Sequence, residues 1–342
     1  MRKVLILILL VWGAFWAFQQ VSMVEFSTAL QSGIAVTEPA NSQEPMSIEA
    51  QGAILIDQGN GKVIFRKNAD ARLYPASTTK ILTALLAIEN ADLDEIVTVG
   101  KEIGFLLPKS STAGLHFFGE KIAVRDLTYG LMLPSGSDAA HTLAVHIGRK
   151  TSRDKSLDTR EALAVFSDLM NRRARRVGAK DSHFVNPDGY TDENHYSTAY
   201  DMAMIAQEAM REPFFRRVVG TESYRRPNRG AVNGKTEASV WENTNNLLDK
   251  NSPYYFPGVT GIKTGFTSAA GYCLVSSASR EGLNLIAVVL NSSKTGVLTD
   301  SRSLLNYGFK NYKPQSNWGY FFLLLIGLSA LGLLIMFKGS KT

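Results

Sequence analysis

The sequence predicts an α+β fold: an antiparallel sheet assembled from both ends of one domain, with a helix-rich lobe inserted between its halves. Three observations carry this. Residues 53–65, "AILIDQGNGKVIF", place two strand-like runs around a Gly-Asn-Gly turn, the pattern of a hairpin. From about residue 77 to about 225 the apolar residues recur at helical spacing. From about residue 259 the pattern returns to strand in "GIKTGFT", "GYCLVSSAS" and "LNLIAVVLNSS", separated by Ala-Gly and Glu-Gly turns. No internal repeat is visible.

Composition supports a globular body. The chain has 342 residues, 45% hydrophobic and 20% charged, enough to bury a substantial core. Lys and Arg outnumber Asp and Glu by 37 to 31, a mild and dispersed net charge of +6. The densest basic run, "NRRARR" at 171–176, follows apolar Leu163, Val165, Phe166, Leu169 and Met170. It reads as a helix with one wet face, the alternative being contact with anionic lipid or wall polymer. No aromatic residues interleave the charge, so nucleic acid is not an expected partner. Cys273 is the single cysteine and cannot form an internal disulfide; its apolar setting, "GYCLVSS", predicts a small buried strand residue.

The two ends predict export and anchoring. Arg2 and Lys3 precede the apolar stretch 4–18, so residues 1–29 read as a signal peptide or an uncleaved N-terminal anchor, with Ser27 and Ala29 as small residues for cleavage. Residues 30–47 are polar, carry two prolines and read as a linker. The body is 48–312, followed by a short tether, "KPQSN", at 313–317. Residues 318–337, "WGYFFLLLIGLSALGLLIMF", are uncharged and long enough for a transmembrane helix. Trp318 and Tyr320 mark one interface, and Lys338 and Lys341 lie in the tail 338–342. The positive-inside rule then places the C-terminus in the cytoplasm and the body outside the cell membrane.

The five histidines offer no metal site or hydrolase elbow. His141 and His146 stand five apart on one predicted helix, there is no H-E-x-x-H, and no G-x-S-x-G is present. A nucleophile in this chain therefore needs a base other than histidine, and lysine can serve. "YPASTTKILTALLAIEN" sets Ser77 just ahead of an apolar helix with Lys80 three residues on, so both share one helix face. Lys80 can take the Ser77 proton if burial and a second cation lower its pKa. The Ser77 backbone N–H, at a helix N-terminus, can meet a developing oxyanion.

Two internal controls sharpen that reading. Ser152 and Lys155 repeat the S-x-x-K spacing in a charged stretch with no apolar face, and read as exposed chance. K-T-G occurs at Lys263-Thr264-Gly265 within a strand pattern and again at Lys294-Thr295-Gly296, which reads as a loop. In the first, Gly265 would let a substrate backbone approach closely. Between these motifs, "LMLPSGSDAAHTLA" at 131–144 reads equally as a helix-to-helix turn, with Pro134 ending one helix and Ser137 or Asp138 capping the next. The competing reading aims Ser135 into a reaction site.

The order Ser77-x-x-Lys80, Ser135-Gly136-Ser137, Lys263-Thr264-Gly265 resembles the three-motif set of penicillin-binding proteins and serine β-lactamases. The flanking segments "PASTTKILTALLA", "LMLPSGSDAA", "HFVNPDGYTDENHYSTAYDMA", "WENTNNLL" and "GVTGIKTGFTSAAGYCLVSSASREG" narrow it. They are similar to the D-alanyl-D-alanine carboxypeptidases, low-molecular-weight penicillin-binding proteins of serine peptidase family S11, over about residues 48–310.

The resemblance implies a β-lactamase/transpeptidase-like fold, here with a C-terminal transmembrane helix. It implies Ser77 as the acylated nucleophile, Lys80 as its general base and Ser135 as the proton relay to departing D-alanine. Lys263 and Thr264 would hold the substrate's terminal carboxylate, beside Gly265, and the N–H of Phe266 would join that of Ser77 in an oxyanion hole. The substrate would be a peptidoglycan pentapeptide ending in D-Ala-D-Ala, with β-lactam antibiotics as acylating inhibitors and neither metal nor cofactor required. The chain runs from "LLNYGFKNYKPQSN" straight into the apolar segment, so the extra β-rich domain of many relatives is not expected.

One residue departs from the family pattern. Ser137 stands where relatives carry asparagine, and no S-x-N occurs elsewhere. A hydroxyl is shorter than a carboxamide and has one donor, so Ser137 is expected to reach Lys80 or the substrate amide through water. Two other functions compete: a catalytically weak penicillin-binding sensor or structural wall protein, motivated by Ser137, and a serine β-lactamase, with Glu193 activating the deacylating water.

Overall fold

The computed structural model describes residues 47–115, 119–226 and 240–314. β1 (Gly52–Asp57) and β2 (Val63–Lys67) form the expected antiparallel hairpin. The Asp57 carboxylate holds its turn by accepting the Gly59 N–H at 2.7 Å. A 3-10 turn, Ala76–Thr79, then leads into α1 (Lys80–Asn90). Every residue of α1 from Lys80 to Ala87 is buried. A helix apolar on all sides belongs at the centre of a domain, and α1 lies between the sheet and the helical lobe.

The lobe comprises β3 (Ile96–Thr98), β4 (Lys121–Ala123), α2 (Val124–Met132), α3 (Ser137–Ser152), α4 (Thr159–Arg176), α5 (Ala199–Ala209) and α6 (Pro213–Val219). β5 (Ser223–Arg225) and β6 (Val240–Glu242) follow. β3 pairs with β4 and β5 with β6, both antiparallel. The first pair interrupts the helical middle that the sequence predicts and the second lies at and beyond its end; three-residue strands are too short to show a period. α4 starts at a capping box, Asp158 with Glu161.

β7 (Val259–Thr267), β8 (Gly271–Arg280) and β9 (Leu283–Ser292) complete the main sheet, and α7 (Gly296–Asn311) packs against it. Strand order is β2-β1-β9-β8-β7, antiparallel throughout. The β1–β9 pairing joins the chain's early hairpin to its late strands, so the sheet is assembled from both ends as expected. β7 is left at an edge, with the 3-10 turn packed against it.

The basic run at 171–176 closes α4. Arg172, Arg175 and Arg176 are exposed, whereas Arg173 is tied to Glu89 at 2.6 Å and Glu208 at 2.8 Å. Cys273 is buried on β8, and burial pushes its thiol up to about 12, as an inert core residue requires. Among the described residues no helix is long and apolar enough to cross a membrane. The expected leader and the expected transmembrane helix at 318–337 lie outside the described residues, as do most of the linker and tether.

Candidate active site

The 3-10 turn delivers Ser77 to the head of α1 and points Lys80 back at it: Lys80 Nζ donates to Ser77 Oγ at 2.9 Å. Lys80 is 0% exposed. Its other partners are the Asp188 carbonyl at 2.9 Å and Ser137 Oγ at 3.4 Å. Burial pulls its pKa down to about 8, and the carboxylates of Asp188 and Asp138 limit the fall. A lysine tuned to that range spends enough time neutral to take a hydroxyl proton.

The second wall is the turn between α2 and α3. α2 ends before Pro134, as the sequence predicts, but the helix cap differs. Gly136 occupies the N-cap of α3 without a side-chain bond. Ser137 does not cap, and Asp138 accepts three backbone N–H groups: Ala113 (2.7 Å), Leu115 (2.9 Å) and Ala139 (2.9 Å). Two of those donors belong to the 111–115 segment, so Asp138 pins that loop across the cleft. Ser135 has φ +64, a left-handed conformation that costs a non-glycine residue. Neighbouring bonds impose it: Ser111 Oγ donates to the Ser135 carbonyl at 2.6 Å and Ser137 N–H to Ser111 O at 2.8 Å.

β7 forms the third wall. Lys263 is 1% exposed and its Nζ has no hydrogen-bond partner among the described residues. Burial, then the nearby Lys80, push its pKa well below an ordinary lysine's. Such a site is complete only when an anion enters it. Thr264 Oγ1 shares a 2.5 Å hydrogen bond with Thr244 Oγ1, which the sequence reading did not single out. Gly265 passes so near the nucleophile that a Cβ there would sit 3.0 Å from Ser77 N and 3.1 Å from Thr78 N. Phe266 is 52% exposed and lies against Tyr272, ring centroids 4.4 Å apart.

The floor comes from the turn 186–190. Thr83 Oγ1 donates to Pro187 O at 2.6 Å, and Asn186 bonds both Gly189 N–H (2.8 Å) and Tyr190 O (2.9 Å). Gly189 has φ +82, and a Cβ on it would lie 1.8 Å from the Ala76 carbonyl oxygen. The turn is thus locked under Ser77 with the Asp188 carbonyl facing Lys80.

All eight residues singled out at the three motifs come together: Ser77, Ser135, Ser137, Thr264, Gly265 and Phe266 line one cleft of about 930 Å³, with Lys80 and Lys263 buried beneath it. Of the decoys, Ser152 and Lys155 are exposed at and beyond the end of α3, away from the cleft, whereas Lys294, exposed on the loop before α7, lines the same cleft without the strand setting of Lys263. His146 bonds Glu95 at 3.1 Å. His195 accepts the Val185 N–H at Nδ1, so its Nε2–H donates to Thr79 at 2.9 Å. Burial pulls the His195 pKa to about 4, leaving it a neutral structural bridge. Glu193 is exposed on its turn.

A family model described as D-alanyl-D-alanine carboxypeptidase, peptidase S11, matches residues 38–294. The chain is 35% identical over 295 residues to a D-alanyl-D-alanine carboxypeptidase of Streptomyces sp. (strain K15), covering 84% of this chain and 97% of that one. It is 34% identical over 276 residues to the carboxypeptidase DacF of Bacillus subtilis (strain 168), covering 78% of this chain but only 64% of that relative. The crystal structure of the Streptomyces K15 DD-transpeptidase superposes with a TM-score of 0.69 at 35% identity, over 78% of this chain and 99% of that one.

Proposed function

We propose, from the premise that this chain belongs to the D-alanyl-D-alanine carboxypeptidase family, peptidase S11, that it is a membrane-anchored serine D,D-carboxypeptidase. It would remove the terminal D-alanine from peptidoglycan stem pentapeptides outside the cell, tethered by the 318–337 segment. The observation that carries the activity is Lys80 Nζ at 2.9 Å from Ser77 Oγ in a cleft whose β7 wall holds a second buried lysine, Lys263, with no hydrogen-bond partner among the described residues.

The chemistry follows from those positions. Lys263, with Thr264, receives the C-terminal carboxylate of the substrate and sets the last peptide bond over Ser77. Neutral Lys80 takes the Ser77 proton as Oγ bonds to the penultimate D-alanine carbonyl carbon. The oxyanion forms at the N–H groups of Ser77 and Phe266. As the C–N bond breaks, the departing amine of D-alanine receives a proton through Ser135. Water then attacks the ester on Ser77, releasing the shortened peptide and restoring both Ser77–OH and neutral Lys80. β-Lactams enter the same path as far as the acyl-enzyme.

A labelled penicillin tests this reading: it should modify Ser77, and labelling that persists in Ser77→Ala would sink the assignment. A second reading, a catalytically weak penicillin-binding sensor, is favoured by one contact. Ser137 Oγ is 3.4 Å from Lys80, long for a hydrogen bond. Release of D-alanine from a pentapeptide at an ordinary enzyme rate separates the two. The exposed position of Glu193 gives the β-lactamase reading no deacylating base.

A further inference from the structure

Two carboxylates act on Lys80, and they are held very differently. Asp138 is saturated by three backbone N–H groups and serves to pin the 111–115 loop. Asp188 is also buried, 5% exposed, yet among the described residues its carboxylate has one backbone donor, Tyr190 N–H at 3.5 Å. Its remaining neighbours are side chains of α3: the Ser137 hydroxyl and the imidazole of His141, whose Nε2 is 3.7 Å from Asp188 Oδ1. Ser137 and His141 are four residues apart and share one face of that helix. A buried charge left to side chains is expensive unless it answers another charge.

The charge it answers is Lys80. Asp188 reaches Lys80 twice, directly through its carbonyl at 2.9 Å and through Ser137, whose Oγ stands 3.4 Å from Nζ. The locked 186–190 turn fixes both reaches. On the far side Lys263, whose charge burial and Lys80 disfavour, becomes a cation as the substrate's carboxylate pairs with it. When Lys80 takes the Ser77 proton, a second cation appears in a dry pocket. Asp188 is the anion placed to receive it.

We propose that Asp188, oriented by His141, is a positioning residue for acylation: it holds Lys80 and Ser137 in register and stabilises the ammonium that Lys80 becomes. This rests on Ser77 and Lys80 forming the acylating pair. Although burial disfavours its charge, the neighbouring His141 imidazole and Lys80 keep the Asp188 carboxyl well below the usual carboxylate range, so it is charged at every working pH. The other groups around the pair are Asp138 and His141 from α3, Lys263 from β7, and His195 and Asp192 from the 183–198 segment.

The test is the pH dependence of penicillin acylation, with steady-state D-alanine release from a D-Ala-D-Ala peptide alongside. Asp188→Asn keeps the shape and the carbonyl and removes the charge. Lys80 then holds its proton less firmly, so the acid limb should move down by about one pH unit, and the plateau rate should fall about 10- to 100-fold. KM should change less than about twofold, because the carboxylate grip lies on β7. Asp188→Glu, which restores the charge, and His141→Gln, which keeps a neutral partner for it, should both leave the limb near its wild-type position. If Asp188→Asn does not fold, Asp188→Ser reads the same limb. A folded Asp188→Asn or Asp188→Ser protein with an unmoved acid limb, or with KM rising as kcat falls, overturns the proposal. Failure of the acylating-pair reading shows separately, as a wild-type protein that penicillin does not label at Ser77.

Discussion

The backbone of Gly265 runs so close to Ser77 that a methyl group on it would stand 3.0 Å from the Ser77 amide nitrogen. The strand that grips the substrate and the turn that carries the nucleophile are therefore in contact, without a side chain between them. The three atoms nearest such a methyl group belong to the turn Ala76–Thr78, and two of them are backbone.

Gly265→Ala should consequently act on rate far more than on stability. The turn must shift by a few tenths of an ångström, and displacements of this kind at a reacting atom cost up to about 100-fold. Penicillin acylation is expected to slow by at least about tenfold, with an unchanged circular dichroism spectrum. An alanine protein acylated at the wild-type rate would show that β7 does not position Ser77.

Lys80 predicts the pH profile of the wild type. As base it must be neutral, and its pKa is pulled to about 8 by burial, with Asp188 and Asp138 acting against the fall. Acylation should therefore rise with pH through about 8 and level off above it, since the protonated form present at lower pH cannot accept the Ser77 proton. Stopped-flow acylation between pH 6 and 10 checks this. A rate already at its plateau by pH 6 would assign the proton to another group.

Lys263→Met should separate stability from function. The buried Nζ has no hydrogen-bond partner among the described residues, and burial disfavours its charge. Methionine of similar length removes an unsatisfied group, worth about 1–3 kcal/mol. The expected result is a higher melting temperature together with a kcat/KM for the D-Ala-D-Ala peptide lowered about 10- to 100-fold by loss of a charge-assisted bond. In the wild type, a bound carboxylate raises the depressed Lys263 pKa, so binding takes up a proton and weakens as pH rises. Calorimetry in buffers of different ionisation enthalpy measures that uptake. Protein that melts lower after the substitution would mean that Lys263 is already paired.

How much of this was legible depended on range. Ser77 and Lys80 are three residues apart on one element, so their contact follows from helix geometry alone. Lys263 was separable from Lys294 because strand periodicity surrounds the first and not the second. The Asp188–His141 couple was not legible: the two residues meet only because the 186–190 turn folds under α3, and nothing local marks Asp188 as buried. Thr244 was missed for the same reason, since it lies on the loop after β6 and its partner Thr264 lies 20 residues on, in β7. The cap of α3 was misread because Asp138, a good local cap, has better partners in the 111–115 loop.

Ser137 is the residue on which sequence and structure disagree most usefully. The sequence predicts contact with Lys80 through water, whereas the hydroxyl lies at 3.4 Å with no room between. It is 2% exposed and, besides accepting from Lys80, faces the Asp188 carboxylate. Ser137→Ala deletes both contacts and should lower the rate of D-alanine release about tenfold, the size of one modest hydrogen bond in a transition state. Ser137→Asn supplies an acceptor and a donor of its own and should keep release within about threefold of wild type. Ser137 is 2% exposed, and two extra heavy atoms beside the buried Lys80 are expected to cost about 1–3 kcal/mol of stability. Release assays and thermal unfolding on the two variants read both effects. If alanine is as active as serine, the hydroxyl takes no part in the reaction, and the second motif contributes through Ser135 alone.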